Sequence, residues 1–148
     1  MNEMLGNQYF LDRNYIQAQR ELEAALVHNP SSVSIKKKLV ICHIQTETID
    51  RAVDLFLDVI THDVHSIIST NPIFDNCPCP QLVYEMENSI ATTNENQKNL
   101  ALGMLWLYCD IIPSYRYFMS ITRPDERVKR IIAQLQETLP SLQTTRYI

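Results

Sequence analysis

Two short patterns carry residue types that metal chemistry needs. His62 and His65 lie three apart, which puts two imidazoles on one helical face, and Cys77-Pro78-Cys79 follows with two thiols. Imidazole and thiolate together suit tetrahedral zinc, so His62, His65, Cys77 and Cys79 would form a small metal-binding module. The plainer reading is a helix end followed by a proline-rich loop, because C-x-C with an intervening proline is not the usual C-x-x-C knuckle. That reading is preferred, and no metal or other cofactor is assigned. A bond between Cys77 and Cys79 is expected still less, since so short a ring is strained.

Nucleophilic catalysis needs a nucleophile, a base and an orienting group brought together. Cys109 could in principle pair with a histidine, yet it lies in the most apolar stretch and reads as core. Gly6 and Gly103 are the only glycines in 148 residues, where average usage would give roughly ten. Glycine-rich phosphate loops are therefore excluded, and tight two-residue hairpins are disfavoured. No catalytic residue is assigned, and the chain is not expected to be an enzyme.

The net charge of -4 and pI near 5.5 lack the basic footprint that nucleic acid demands. Charge is unevenly spread: between Leu39 and Gln97 nine acids face Arg51 alone, a local charge of -8. No apolar run approaches the about 18 residues of a membrane span. The start, MNEMLGNQYF, has neither the basic nor the apolar region of a signal peptide, so a cytoplasmic location is expected, without membrane attachment. Reduced thiols follow from that location. Cys42 and Cys109, in apolar stretches, would behave as small hydrophobes.

The elements that position these residues show an internal echo. Tyr15, Ala18, Leu22, Ala25 and Leu26 form one helical stripe, and Ile49, Ala52, Phe56, Val59 and Ile60 repeat it at an offset of 34. Leu5 maps onto Leu39, Phe10 onto Ile44, and the turn Asp12-Arg13-Asn14 onto Thr46-Glu47-Thr48. The spacing predicts helices over 2–12, 15–28, 33–45 and 49–62, with Pro30 stopping one and serine capping the next. An irregular stretch from Asp63 to Pro80 follows, in which 65–69 could add a helical turn.

Leu5-Gly6, Tyr9, Ala18, Leu22, Ala25 and Pro30 resemble the signature of the tetratricopeptide repeat. The second unit keeps Leu39, Ala52 and Phe56, but has Val40, His43 and Val64 where Gly, Tyr and Pro are usual. Leu102-Gly103 and Trp106 look like the start of a degenerate third repeat. The match then fails, with Tyr115 at the small-residue position and Arg127 at the proline position. The resemblance implies an all-α fold: a helical-hairpin solenoid of two recognisable repeats, a degenerate third and a C-terminal capping helix. One domain over 1–140 and a loose tail over 141–148 are expected.

In the second half, Leu82, Val83, Met86 and Ile90 predict a helix near 80–92, and Thr92 and Glu95 resemble a capping box. An apolar helix is predicted over 95–111, ended by Pro113. Val128, Ile131, Ile132, Leu135 and Leu139 make the stripe of a last helix, which Thr122 or Asp125 can cap.

The resemblance also implies that the first helix of each repeat lines a concave groove. Asn7, Phe10 and Leu11 of the first unit and Lys37, Lys38, Ile41, Ile44 and Gln45 of the second fall on or near that wall, as does Glu3. The apolar members have core as their plainer reading. Within the run Lys36-Lys37-Lys38, at least one lysine is expected simply to face water. Tetratricopeptide domains that clamp the acidic tails of heat-shock chaperones use a Lys and an Asn one turn apart. Here Asn7 matches and Glu3 does not, so that specificity is not carried over.

The function expected from the resemblance is a non-catalytic scaffold or adaptor holding a peptide in its groove, where amine and amide donors meet backbone or carboxylate and apolar pockets choose side chains. A dedicated chaperone, similar in size and acidity to the three-repeat chaperones of type III secretion, is the alternative; the metal module is the other. A solenoid whose first helix starts almost at Met1 leaves an end that a homodimer would cover.

Overall fold

The computed structural model describes residues 2–89 and 94–146. Among them the chain is helical throughout, with no strand: α1 (Asn2–Leu11), α2 (Tyr15–His28), α3 (Val33–Gln45), α4 (Ile49–Asp63), α5 (His65–Ile68), α6 (Cys79–Glu87), α7 (Glu95–Leu107), α8 (Ile111–Met119) and α9 (Glu126–Arg146). No described helix is long and apolar enough to cross a membrane. The backbone forms two compact units, Met1–Val59 and Ile60–Ile148. The division falls inside α4, not at a linker.

In the first unit α1 packs on α2 and α2 on α3. Ala18, Leu22, Leu39, Ala52 and Phe56 are all fully buried, so the stripes repeated at 34 residues are core. A Cβ on Gly6 would stand 2.7 Å from Leu22 Cγ and 3.3 Å from the Leu22 backbone nitrogen. Close approach of α1 to α2 is why glycine stands there. The two turns also repeat. Arg13 and Glu47, 34 apart, both take positive φ (63° and 65°). The next amide reaches back to the preceding helix, Asn14 N to Tyr9 O at 2.8 Å and Thr48 N to His43 O at 2.9 Å. This left-handed exit satisfies carbonyls that a helix end leaves open. Asn14 caps α2 through Gln17 N, and Ser32 caps α3 through Ile35 N.

In the second unit α6 packs on α7, α7 on α8 and α8 on α9. Asn94 caps α7 by accepting from Gln97 N. Thr92 of the expected capping box lies outside the described residues, as does Ile90. The helix expected near 80–92 spans Cys79–Glu87 and buries Leu82 and Val83. Pro113 does not end α7. That helix stops at Leu107, Asp110 caps α8 through Ile112 N, and Pro113 is the third residue of α8. The first turn of a helix tolerates proline because its N–H has no intrahelical partner there. Asp125, not Thr122, caps α9 by accepting from Val128 N at 3.0 Å. Thr122 instead pairs with Asn96, donating its N–H to Asn96 Oδ1 at 3.1 Å. Helix α9 then continues through Pro140 to Arg146, into the stretch expected to be loose.

Candidate binding surface

Helix α1 buries only Gly6 and Phe10, which are four apart on its inner face. Its outer strip, at spacings of three and four, is Met4, Asn7 and Leu11. Met4 is 79% exposed and Leu11 49% exposed. Helix α3 is buried almost all round and leaves Ser34, Lys38 and Gln45 along one line, with Lys37 beside it. Lys38 Nζ joins the two helices by donating to Asn7 Oδ1 at 2.9 Å, and it lies 3.4 Å from Ser34 Oγ.

The groove residues expected from sequence thus divide. Asn7, Leu11, Lys37, Lys38 and Gln45 keep exposed surface, and Glu3 is exposed as well. Phe10, Ile41 and Ile44 are buried, which matches their plainer reading as core. None of the three consecutive lysines merely faces water; all are half-buried. Lys36 turns the opposite way from Lys38 and reaches Asp58 of α4 at 2.5 Å.

A polar network in the same unit was not legible as a site. Glu23 of α2 accepts two bonds from Arg51 of α4, at 3.0 and 2.9 Å, a bidentate clamp. Its Oε2 also meets His43 Nε2 at 3.0 Å, while His43 Nδ1 lies 2.6 Å from Thr48 Oγ1. A carboxylate only accepts, so Nε2 carries the proton and Nδ1 accepts from the threonine hydroxyl. Burial holds the His43 pKa below its ordinary value, outweighing the carboxylate. The Arg51 hydrogen bonds hold Glu23 below the ordinary glutamate value. A Thr-His-Glu chain has the order of a nucleophile, base and orienting group. These bonds also tie α2, α3 and the start of α4 together. The offset of 34 is the signal that relates Thr48 to Asn14, each opening its helix.

In the second unit Glu87, at the end of α6, accepts from Trp106 Nε1 at 3.0 Å and from Tyr117 Oη at 2.5 Å. Burial, then the Glu87 carboxylate, pushes the Tyr117 phenol up to about 12. An open hollow of about 290 Å³ beside this pair is lined by Glu87, Pro113, Arg116, Tyr117 and Ser120.

The metal pattern is not assembled. Cys77 and Cys79 form a disulfide, with Cα atoms 5.4 Å apart, within the span such a bond bridges. The left-handed turn at Asn76 and the start of α6 at Cys79 fold the chain back over Pro78 to allow it. Among the described residues no group of three or more His, Cys, Asp or Glu side chains is placed to hold a metal ion. Cys42 is buried, and desolvation pushes its thiol up to about 12, whereas Cys109 is exposed, not core. Comparison of the chain with protein-family models, curated proteins and solved structures finds no match.

Proposed function

We propose that the first unit is a tetratricopeptide-like pair of helical hairpins serving as a non-catalytic protein-interaction module. The glycine step at Gly6, the buried small residues Ala18 and Ala52, and the turns repeated 34 residues apart support the repeat reading. The partner is a peptide segment lying along the outer faces of α1 and α3. One observation carries this reading: the Lys38 to Asn7 bond joins residues 31 apart in sequence into a polar seam, flanked by the exposed Met4 and Leu11. Such a seam offers exposed apolar side chains at Met4 and Leu11 and positive charge from Lys37 and Lys38, suiting a peptide that alternates apolar with acidic residues.

The test compares proteins captured from a cell extract by the wild-type chain, by Leu11→Asp and by the Lys37→Ala/Lys38→Ala double variant. Loss of an apolar anchor should weaken a true partner at least about tenfold, and loss of the lysines should remove its salt sensitivity. Unchanged capture by both variants, with helicity intact, would overturn the assignment.

A further inference from the structure

The disulfide of the second unit is asymmetric. Cys77 is half-exposed, whereas Cys79, the first residue of α6, is 0% exposed. Four and three residues before Cys77, Ile73 and Phe74 are both 84% exposed. They project from a turn closed by its own bonds: Asn71 Oδ1 accepts from Ile73 N and Phe74 N, Asp75 N donates to Asn71 O, and Cys77 N donates to Pro72 O at 3.1 Å. Two large apolar side chains presented to water are costly unless something meets them. One half-buried cysteine thus follows a turn that presents two exposed apolar side chains, and its bonded partner is buried.

We propose that Cys77-Pro78-Cys79 is a thiol–disulfide exchange site whose substrate is a dithiol in a polypeptide bearing apolar side chains, which Ile73 and Phe74 receive. A substrate thiolate attacks the Sγ of Cys77, the cysteine of the pair that keeps exposed surface. The Cys77–Cys79 bond breaks as the substrate–Cys77 bond forms, and the electron pair leaves on Cys79 Sγ. That sulfur opens α6, where a helix N-terminus stabilises a thiolate leaving group. The second substrate thiolate then attacks the substrate sulfur of the mixed disulfide and releases Cys77 as a thiolate. The substrate dithiol is oxidised by two electrons, the protein disulfide is reduced to two thiols, and the two substrate protons are taken up by Cys77 and Cys79. A small disulfide such as glutathione disulfide returns the pair to its oxidised form, yielding two molecules of glutathione.

The experiment uses the full chain carrying Cys109→Ser, which removes the exposed thiol. The oxidised chain is mixed with a reduced dithiol peptide containing leucine and phenylalanine, quenched in acid and alkylated. Mass analysis should find Cys77 and Cys79 alkylated and the peptide disulfide-bonded; a pair still oxidised beside a reduced peptide overturns the proposal without any change at the site. With Cys79→Ser, glutathione disulfide should load Cys77 at least ~10-fold faster than it loads Cys79 in Cys77→Ser, because access limits the attack. Equal rates would overturn the difference in access on which attack at Cys77 rests. The Ile73→Asp/Phe74→Asp double variant should slow reduction by the peptide and leave reduction by glutathione unchanged. Equal slowing of both would remove the apolar contact from the substrate role.

Discussion

The hairpin of α1 and α2 and the hairpin of α7 and α8 bring two helices together in the same way, but one residue apart in spacing. In both a glycine of the first helix lies against a bulky side chain of the second. A Cβ on Gly6 would meet Leu22, and one on Gly103 would stand 2.8 Å from Phe118 Cε2. In both the second helix opens on an Asn or Asp cap, with a small buried residue four positions later, Ala18 after Asn14 and Ser114 after Asp110. The bulky residue comes four further on, Leu22 or Phe118.

Only the exit of the first helix differs. Helix α1 leaves through the left-handed Arg13, five residues of helix after Gly6. Helix α7 ends four residues after Gly103, and Tyr108 stays right-handed, with its amide bonded to Leu105 O. The spacing from glycine to small residue therefore falls from twelve to eleven. The small buried residue of this hairpin is Ser114, which donates its hydroxyl to Gly103 O at 2.6 Å. Packing register follows the cap, not the distance counted from the glycine.

The largest test of that equivalence truncates the bulky partner. Phe118→Ala and Leu22→Ala should each cost about 3–5 kcal/mol in denaturant unfolding, because both side chains are fully buried against a glycine. A loss under about 1 kcal/mol at Phe118 would break the parallel. Next come the glycines. Gly6→Ala and Gly103→Ala gain helix propensity of about 1 kcal/mol but overpack by about 1–3 kcal/mol. Gly6→Ala should be the worse, since the Leu22 backbone nitrogen at 3.3 Å cannot rotate away, whereas all three atoms nearest Gly103 belong to a side chain. The reverse order would show that the Phe118 ring is the more rigidly held.

The caps should matter less and nearly equally. Asn14→Ala and Asp110→Ala each remove one side-chain acceptor at a helix start, worth about 1 kcal/mol, and a clear inequality in Tm would mean the two helix starts are not equivalent. Smallest is a pH effect confined to the first unit. Burial holds the His43 pKa below its ordinary 6.5, so the unfolded chain binds a proton that the folded chain does not. Stability is complete above about 6.5 and falls as the pH drops from there toward the folded value. Glu23, held below 4.5 chiefly by Arg51, adds a second loss of the same sign under more acid conditions. Hydrogen exchange at pH 7 and 5.5 should show α2 to α4 loosening while α7 and α8 hold, and His43→Gln should flatten the response. Equal loosening in both units would remove His43 as the cause.

The helices of the first unit were legible because local rules and the tertiary fold agree: the stripes at 34, the polar turns and the Ser32 cap all sit where spacing puts them. The predicted surface was legible in part. Asn7, Leu11, Lys37, Lys38 and Gln45 keep exposed surface, while Phe10, Ile41 and Ile44 go inward, because apolar side chains read the same whether a groove or a neighbouring helix receives them. Pro113 misled, since a proline that ends one helix and a proline in the first turn of the next look identical until the cap at Asp110 is seen.

Sequence alone determined the helical character, the caps and the offset of 34 between the apolar stripes, because these are patterns of residue type and spacing readable along the chain. Tertiary structure decided which lysine meets Asn7 and which meets Asp58, that Glu23 gathers His43 and Arg51, and that Cys77 keeps exposed surface while Cys79 is buried. Each of these depends on residues far apart in the chain or on what covers them, which spacing along one helix does not encode.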